Sequence, residues 1–131
     1  MKNFIVLMSH DMSKEQKLDA QNSLDISNIV EAPKNIKSIW ANINPVGNLD
    51  QAELSKITNW IEQNSNTDDY ILVQGEFGAT FYIVDYCFKK GLIPVYATTK
   101  RRVTETREGD KVITNRIFVH EGYRKYIRYG E

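Results

Sequence analysis

The sequence predicts an α/β domain: a mostly parallel sheet flanked by helices and finished by a C-terminal β-hairpin. Three observations lead there. Short apolar, strand-like runs alternate with segments of helical spacing up to about residue 97, the order of a parallel sheet wound with helices. Tyr70-Ile71-Leu72-Val73 is apolar on both faces, which suits the middle of such a sheet. Beyond Thr98-Thr99, two β-rich segments flank Glu108-Gly109-Asp110, a hairpin signal.

The elements follow in order. Phe4 to Met8 reads as the first strand and ends at Ser9-His10-Asp11. Ser13-Lys14-Glu15-Gln16 has the form of a capping box, so a helix starts there. Ile26 to Val30 is a second strand, closed by Pro33. Ile36, Ile39 and Trp40 have helical spacing. After the loop Asn44–Asn48, Asp50 caps another helix, whose buried stripe is Leu54, Ile57 and Ile61. Strand three, Tyr70–Val73, leads through a glycine turn into a helix from Ala79 to Lys90, stopped by Gly91. That helix is apolar nearly all round, so it is either fully buried or packed on a partner. Ile93 to Ala97 is strand four. Arg101–Arg107 and Lys111–Val119 are the hairpin, and Gly122 to Gly130 is a basic, tyrosine-rich tail. The pattern is a single Rossmann-like domain over residues 1–131, without repeats or low-complexity segments.

Composition narrows the function. No apolar run approaches the ~20 residues of a membrane helix, and the N-terminal run is too short for a signal peptide. Cys87 is the single cysteine, which excludes an intrachain disulfide and, inside an apolar helix, reads as a buried thiol. A soluble, cytoplasmic protein is expected, with no membrane partner. Net charge is zero but uneven: residues 1–99 hold 8 Lys/Arg against 12 Asp/Glu, and residues 100–131 hold 9 against 5. A duplex-DNA binder usually carries a domain-wide basic excess. One local basic site fits a small anionic ligand instead, the alternative being a solvated basic tail.

The turn Gln74-Gly75-Glu76-Phe77-Gly78-Ala79-Thr80 is the first candidate site. Two glycines allow a tight bend and close approach of a ligand to backbone N–H groups. The helix that follows offers its unpaired N–H groups and positive dipole end, a setting for phosphate. A tight turn with no ligand is the alternative. In open α/β sheets, ligands bind beyond the carboxyl ends of the strands. Three such ends carry polar residues: Ser9 and His10 after strand one, Gln74, Gly75 and Glu76 after strand three, and Thr98, Thr99, Lys100 and Arg101 after strand four. The hairpin can return His120 and Arg124 to the same region.

The residue types then limit the chemistry. Two histidines without matching cysteines do not make a zinc site, and the Walker lysine-serine pair is missing. Hydroxyls, amides, imidazoles and guanidinium groups around a phosphate suit metal-free handling of an RNA phosphodiester. RNA carries its own nucleophile, the 2′-OH, which a protein need only align with the next phosphate. Arg and Lys can stabilise the phosphorane charge, and His can move protons.

These motifs together resemble a known family. Ser9-His10, Gln16, Gln74–Thr80, Tyr96-Ala97-Thr98-Thr99-Lys100-Arg101, Phe118-Val119-His120 and Tyr123-Arg124-Lys125-Tyr126 are similar to a small stand-alone family of type III CRISPR-associated proteins, number twenty in the Csx naming series. The resemblance covers nearly the whole chain. It implies a CARF-like Rossmann domain that binds cyclic oligoadenylate, and a ring nuclease activity that linearises this messenger and ends the antiviral response. It also implies a homodimer, and the two-fold symmetry of a cyclic tetra-adenylate matches two identical sets of loops.

The expected function is a metal-independent ring nuclease without a cofactor. Gln74, Gly75, Glu76, Phe77, Gly78, Ala79 and Thr80 would cradle phosphate or ribose. Ser9 and His10 would approach the scissile linkage. Thr98, Thr99 and Arg101 would hold phosphate, Lys100 or Arg101 would stabilise the transition state, and His120 and Arg124 would add ligand contacts. Two other classes stay open: a module that binds or senses cyclic oligoadenylate without cutting it, and a small nucleotide-processing Rossmann enzyme.

Overall fold

The computed structural model describes residues 2–131; Met1 lies outside them. Nine elements alternate along the chain: β1 (Lys2–Leu7), α1 (Lys14–Ser23), β2 (Ile26–Glu31), α2 (Lys34–Ala41), α3 (Gln51–Asn64), β3 (Tyr70–Val73), α4 (Phe77–Lys89), β4 (Ile93–Glu108) and β5 (Lys111–Lys125). The strands form one five-stranded sheet in the order β2-β1-β3-β4-β5. β2, β1, β3 and β4 run parallel, and β5 returns antiparallel to β4. The architecture is thus mixed α/β with a mostly parallel sheet and four helices, as the sequence predicts.

Local signals set the helix ends. Ser13 Oγ accepts from the Gln16 N–H at 3.2 Å while Gln16 Oε1 accepts from the Ser13 N–H at 2.9 Å, closing the capping box of α1. Asp50 Oδ1 accepts from the N–H groups of Ala52 and Glu53 at the start of α3. Gly91 follows α4 at φ +72°, a backbone conformation that favours glycine.

Alternation along the strands sends side chains into two cores. Ile5, Leu7, Ile71 and Val73 face α2, α3 and α4, where Trp40, Leu54, Ile57, Ile61, Ala79 and Ile83 cover them. Phe4, Val6, Met8, Leu72 and Val95 face the other way, toward α1 and its Ala20. Each sheet face therefore carries helices, and β3 lies in the middle with Ile71, Leu72 and Val73 wholly buried. Cys87 lies in the first core, where burial pushes its thiol up to about 12. Among the described residues no helix is long and apolar enough to cross a membrane.

Three boundaries differ from the sequence reading. α4 starts at Phe77 rather than Ala79, so the glycine turn is two residues shorter and Gly78 belongs to the first helical turn. The apolar character of α4 also divides: Ala79, Ile83, Val84 and Cys87 are buried, whereas Phe77 and Phe81 are 94% and 76% exposed. Thirdly, strand four and the first hairpin segment are one strand. β4 continues without interruption past Thr98 and Thr99 to Glu108, and its partner β5 includes most of the expected tail. The polar residues from Thr98 onward mark the point where the strand leaves the sheet for solvent, and its backbone pairing with β5 continues to Glu108↔Lys111. Together the two strands form an arm beyond the sheet.

Candidate functional site

Strand register assembles the site. β1 and β3 pair with Leu7 opposite Val73, and β3 and β4 with Leu72 opposite Val95. Two residues past the first pair stand Ser9 and Gly75; three past the second stand Gly75 and Thr98. The polar ends of β1 and β3 and the middle of β4 thus meet at the carboxyl rim of the parallel strands. Strand order reverses between β1 and β3, the place where open α/β sheets leave a crevice for ligands.

Gln74 joins the elements there. Its N–H donates to the Leu7 carbonyl at 3.2 Å. Its own carbonyl accepts from Trp40 Nε1 at 2.7 Å, and its Oε1 accepts from the Ala97 N–H at 2.8 Å. One residue thereby links β1, β3, β4 and α2. Gly75 is held against the same indole: a Cβ there would lie 2.5 Å from Trp40 Nε1. The side chain of Glu76 then accepts from the Gly78 N–H as the N-cap of α4. This changes the reading of the turn. Its own carboxylate occupies the position expected for a ligand phosphate, Gly75 is required by Trp40, and Ala79 is wholly buried. The Gly75–Ala79 backbone is a structural turn more than an open phosphate cradle.

Above the turn lies a cavity of about 360 Å³ lined by Gln74, Gly75, Phe77, Thr80, Tyr96 and Tyr126. Tyr126 donates its hydroxyl to the Val73 carbonyl at 2.7 Å and tilts against Tyr96, with ring centroids 4.8 Å apart. The Arg124 guanidinium lies 5.8 Å from the Tyr96 ring centroid, and its Nη1 donates to the Tyr96 hydroxyl at 3.3 Å. Thr80 Oγ1 is buried beside the cavity with no hydrogen-bond partner among the described residues. Aromatic faces, an amide and one guanidinium can hold a base and a phosphate. Sequence reasoning gave Tyr96, Tyr126 and Trp40 no role; their signal was alternation around Val95 and the apolar spacing of α2, which reads first as core.

The other expected residues divide. Ser9 and His10 are exposed at the rim. His10 Nδ1 is 3.1 Å from the Asp11 carbonyl oxygen, and Asp11 is ion-paired with Lys37 of α2. The Lys37 hydrogen bond, with its charge, holds the Asp11 carboxyl below the usual carboxylate range. Thr98 donates to the Gly122 carbonyl at 3.2 Å. Thr99, Lys100 and Arg101 do not end a strand; they lie exposed at the root of the arm. Alternation from Val95 puts Thr99 and Arg101 on the α1 face and Lys100 on the α4 face.

His120 does not join the rim. Its Nε2 is 2.7 Å from Asp19 Oδ2 of α1, and its side chain is 7% exposed. Burial pushes the Asp19 carboxyl up, but hydrogen bonds from Ser23 and His120 outweigh it and hold Asp19 below the usual range. Tyr123 adjoins this pair, donating its hydroxyl to the Gln16 carbonyl at 2.8 Å. The cause is a bulge: Thr98 pairs Gly122 while Thr99 pairs His120, so Glu121 is an extra residue. It puts His120 and Tyr123 on the α1 face, and leaves Arg124 with Tyr96 on the other. Among the described residues no group of three His, Cys, Asp or Glu side chains is placed to hold a metal ion.

A family model described as "Uncharacterized protein MJ1673 family" matches residues 2–124. The chain is 37% identical over 130 residues to an uncharacterized protein of Methanocaldococcus jannaschii, an alignment that covers 98% of this chain and all of the relative. No solved structure matches the chain.

Proposed function

The chain belongs to the MJ1673 family, and from that premise and its own rim residues we propose that it is a CARF-like, Rossmann-like ring nuclease that binds cyclic oligoadenylate. The observation that carries this reading is the meeting of Ser9, Gln74-Gly75 and Thr98 at the crevice between β1 and β3, beside an aromatic cavity topped by Arg124. An adenine base would stack on the exposed rings of the cavity, and the Arg124 guanidinium would take a phosphate. Ser9 and His10 would approach the scissile linkage from the end of β1. In the step itself, a ribose 2′-oxygen attacks the adjacent phosphorus and loses its proton, while the P–O5′ bond breaks and the 5′-oxygen gains one. The product carries a 2′,3′-cyclic phosphate and a 5′-hydroxyl. Lys100 and Arg101 would offset developing charge from the root of the arm. A ring with two-fold symmetry is best held by two copies of the chain.

A second reading, binding without cleavage, is favoured by the remoteness of His120. With that imidazole tied to Asp19, His10 is the rim's imidazole. Purified protein in EDTA is incubated with cyclic tetra-adenylate and cyclic hexa-adenylate, and products are separated by chromatography with mass detection. Ring opening to a 2′,3′-cyclic phosphate, lost in His10→Ala or Ser9→Ala while binding persists, is the expected result. A ring that is bound but intact after long incubation with excess protein gives the sensor reading; a ring that is neither bound nor cut removes both.

A further inference from the structure

The arm is the least supported part of the protein. From Thr99 to Phe118 every residue is exposed, including Val103, Val112, Ile113, Ile117 and Phe118. Its ten paired levels run from Thr99↔His120 to Glu108↔Lys111, a reach of ~30 Å. A two-stranded ribbon standing alone in water is marginally stable at best, so an apolar ribbon of this length calls for a surface to lie on.

A matching surface exists on the same molecule, away from its own arm's root. Phe77, Phe81, Ile127 and Tyr129 are exposed along a groove of about 490 Å³ between α4 and the C-terminal residues. Charge selects the occupant. Residues 99–120 hold six Lys/Arg against three Asp/Glu, and since the whole chain is neutral, the remainder carries an equal acidic excess. The half-exposed carboxylate of Asp85 lines the groove itself. Arm and body are thus complementary in polarity and in sign.

We propose that the arm of one chain lies along the α4 groove of a second copy, and reciprocally, so that two chains exchange arms about a two-fold axis. An arm face of ~30 by ~10 Å, given and received, covers roughly 600 Å² per partner before any body contact, close to the ~800 Å² of a stable interface. The groove shares Phe77, Thr80 and Tyr126 with the rim cavity, so a seated arm brings its cations beside the partner's site. The inference deepens the two-copy part of the reading above, and its test needs neither ligand nor activity.

Sedimentation velocity of the full chain without ligand gives a dimer on this account. Phe118→Glu on the arm and Phe81→Glu in the groove each give a monomer with an unchanged circular dichroism spectrum. Mixing the two variants restores dimers, because one native arm then meets one native groove. If either variant fails to fold, replacing residues 101–118 by Asn-Gly keeps the sheet and also gives a monomer. A monomeric wild type, a dimer that survives both substitutions together, or a mixture that stays monomeric overturns the exchange. So does a wild-type monomer that binds RNA through the arm.

Discussion

Gly75 shows how one residue can be read correctly as special and wrongly as to cause. The sequence marks it as a backbone position that tolerates no side chain, and that holds. What it approaches is the indole of Trp40, 35 positions earlier, and not a phosphate. Sequence spacing cannot reveal that meeting, because it depends on α2 crossing behind β3. Gly75→Ala should destabilise the protein by about 1–3 kcal/mol through overpacking, read from urea unfolding. Trp40→Phe removes the donor to the Gln74 carbonyl and should cost about 1–3 kcal/mol for a part-buried acceptor left unpaired. If both variants match wild type, the Gln74–Trp40 junction is not what fixes the turn. His120 was legible as a polar residue near the strand ends, but its face was not, since the bulge at Glu121 has no sequence signature. Asp19 lies below its usual value of 3.8, so its contribution is present above that value and is lost as pH falls through the lowered one. Asp19→Asn should therefore flatten the loss of stability below about pH 4, measured as the urea midpoint against pH. An unchanged acid slope would show that the pair with His120 contributes nothing.

Among the elements, the helix starts were the most readable. The Ser13–Gln16 box and the Asp50 cap are local chemistry, and both form as written. β3 was legible for a similar reason: a run apolar on both faces has few places to go. α4 was harder, because Glu76 caps it from outside the usual Ser/Thr/Asp/Asn set, which moves its start to Phe77. The arm was missed as a continuous element. Strand signals rest on alternation toward a core, and a ribbon with both faces in water shows none beyond Thr98. Hydrogen exchange tests its support. In dimeric wild type the paired amides from Val103 to Arg107 should exchange far more slowly than in monomeric Phe81→Glu, while β1 and β3 amides stay protected in both. Equal rates along the arm in the two proteins would mean that nothing covers it.

For the molecule as a whole, strand order decides what the residues can do together. The reversal between β1 and β3 follows from β1-α1-β2 winding one way and β2-α2-α3-β3 the other, which is why segments around residues 9, 75 and 98 share one rim. The alternation of strands and helices made that rim foreseeable, and the register bears out the meeting of its three segments. The proposed ligand enters through residue chemistry and the family resemblance. The most direct measurement is therefore a titration with cyclic tetra-adenylate followed by amide chemical shifts. Binding at the crevice predicts that Ser9, Gly75 and Thr98 shift together and saturate at one concentration, while Asp19 and His120 on the α1 face stay still. Shifts confined to the α1 face, or no shifts at saturating ligand, would contradict the account.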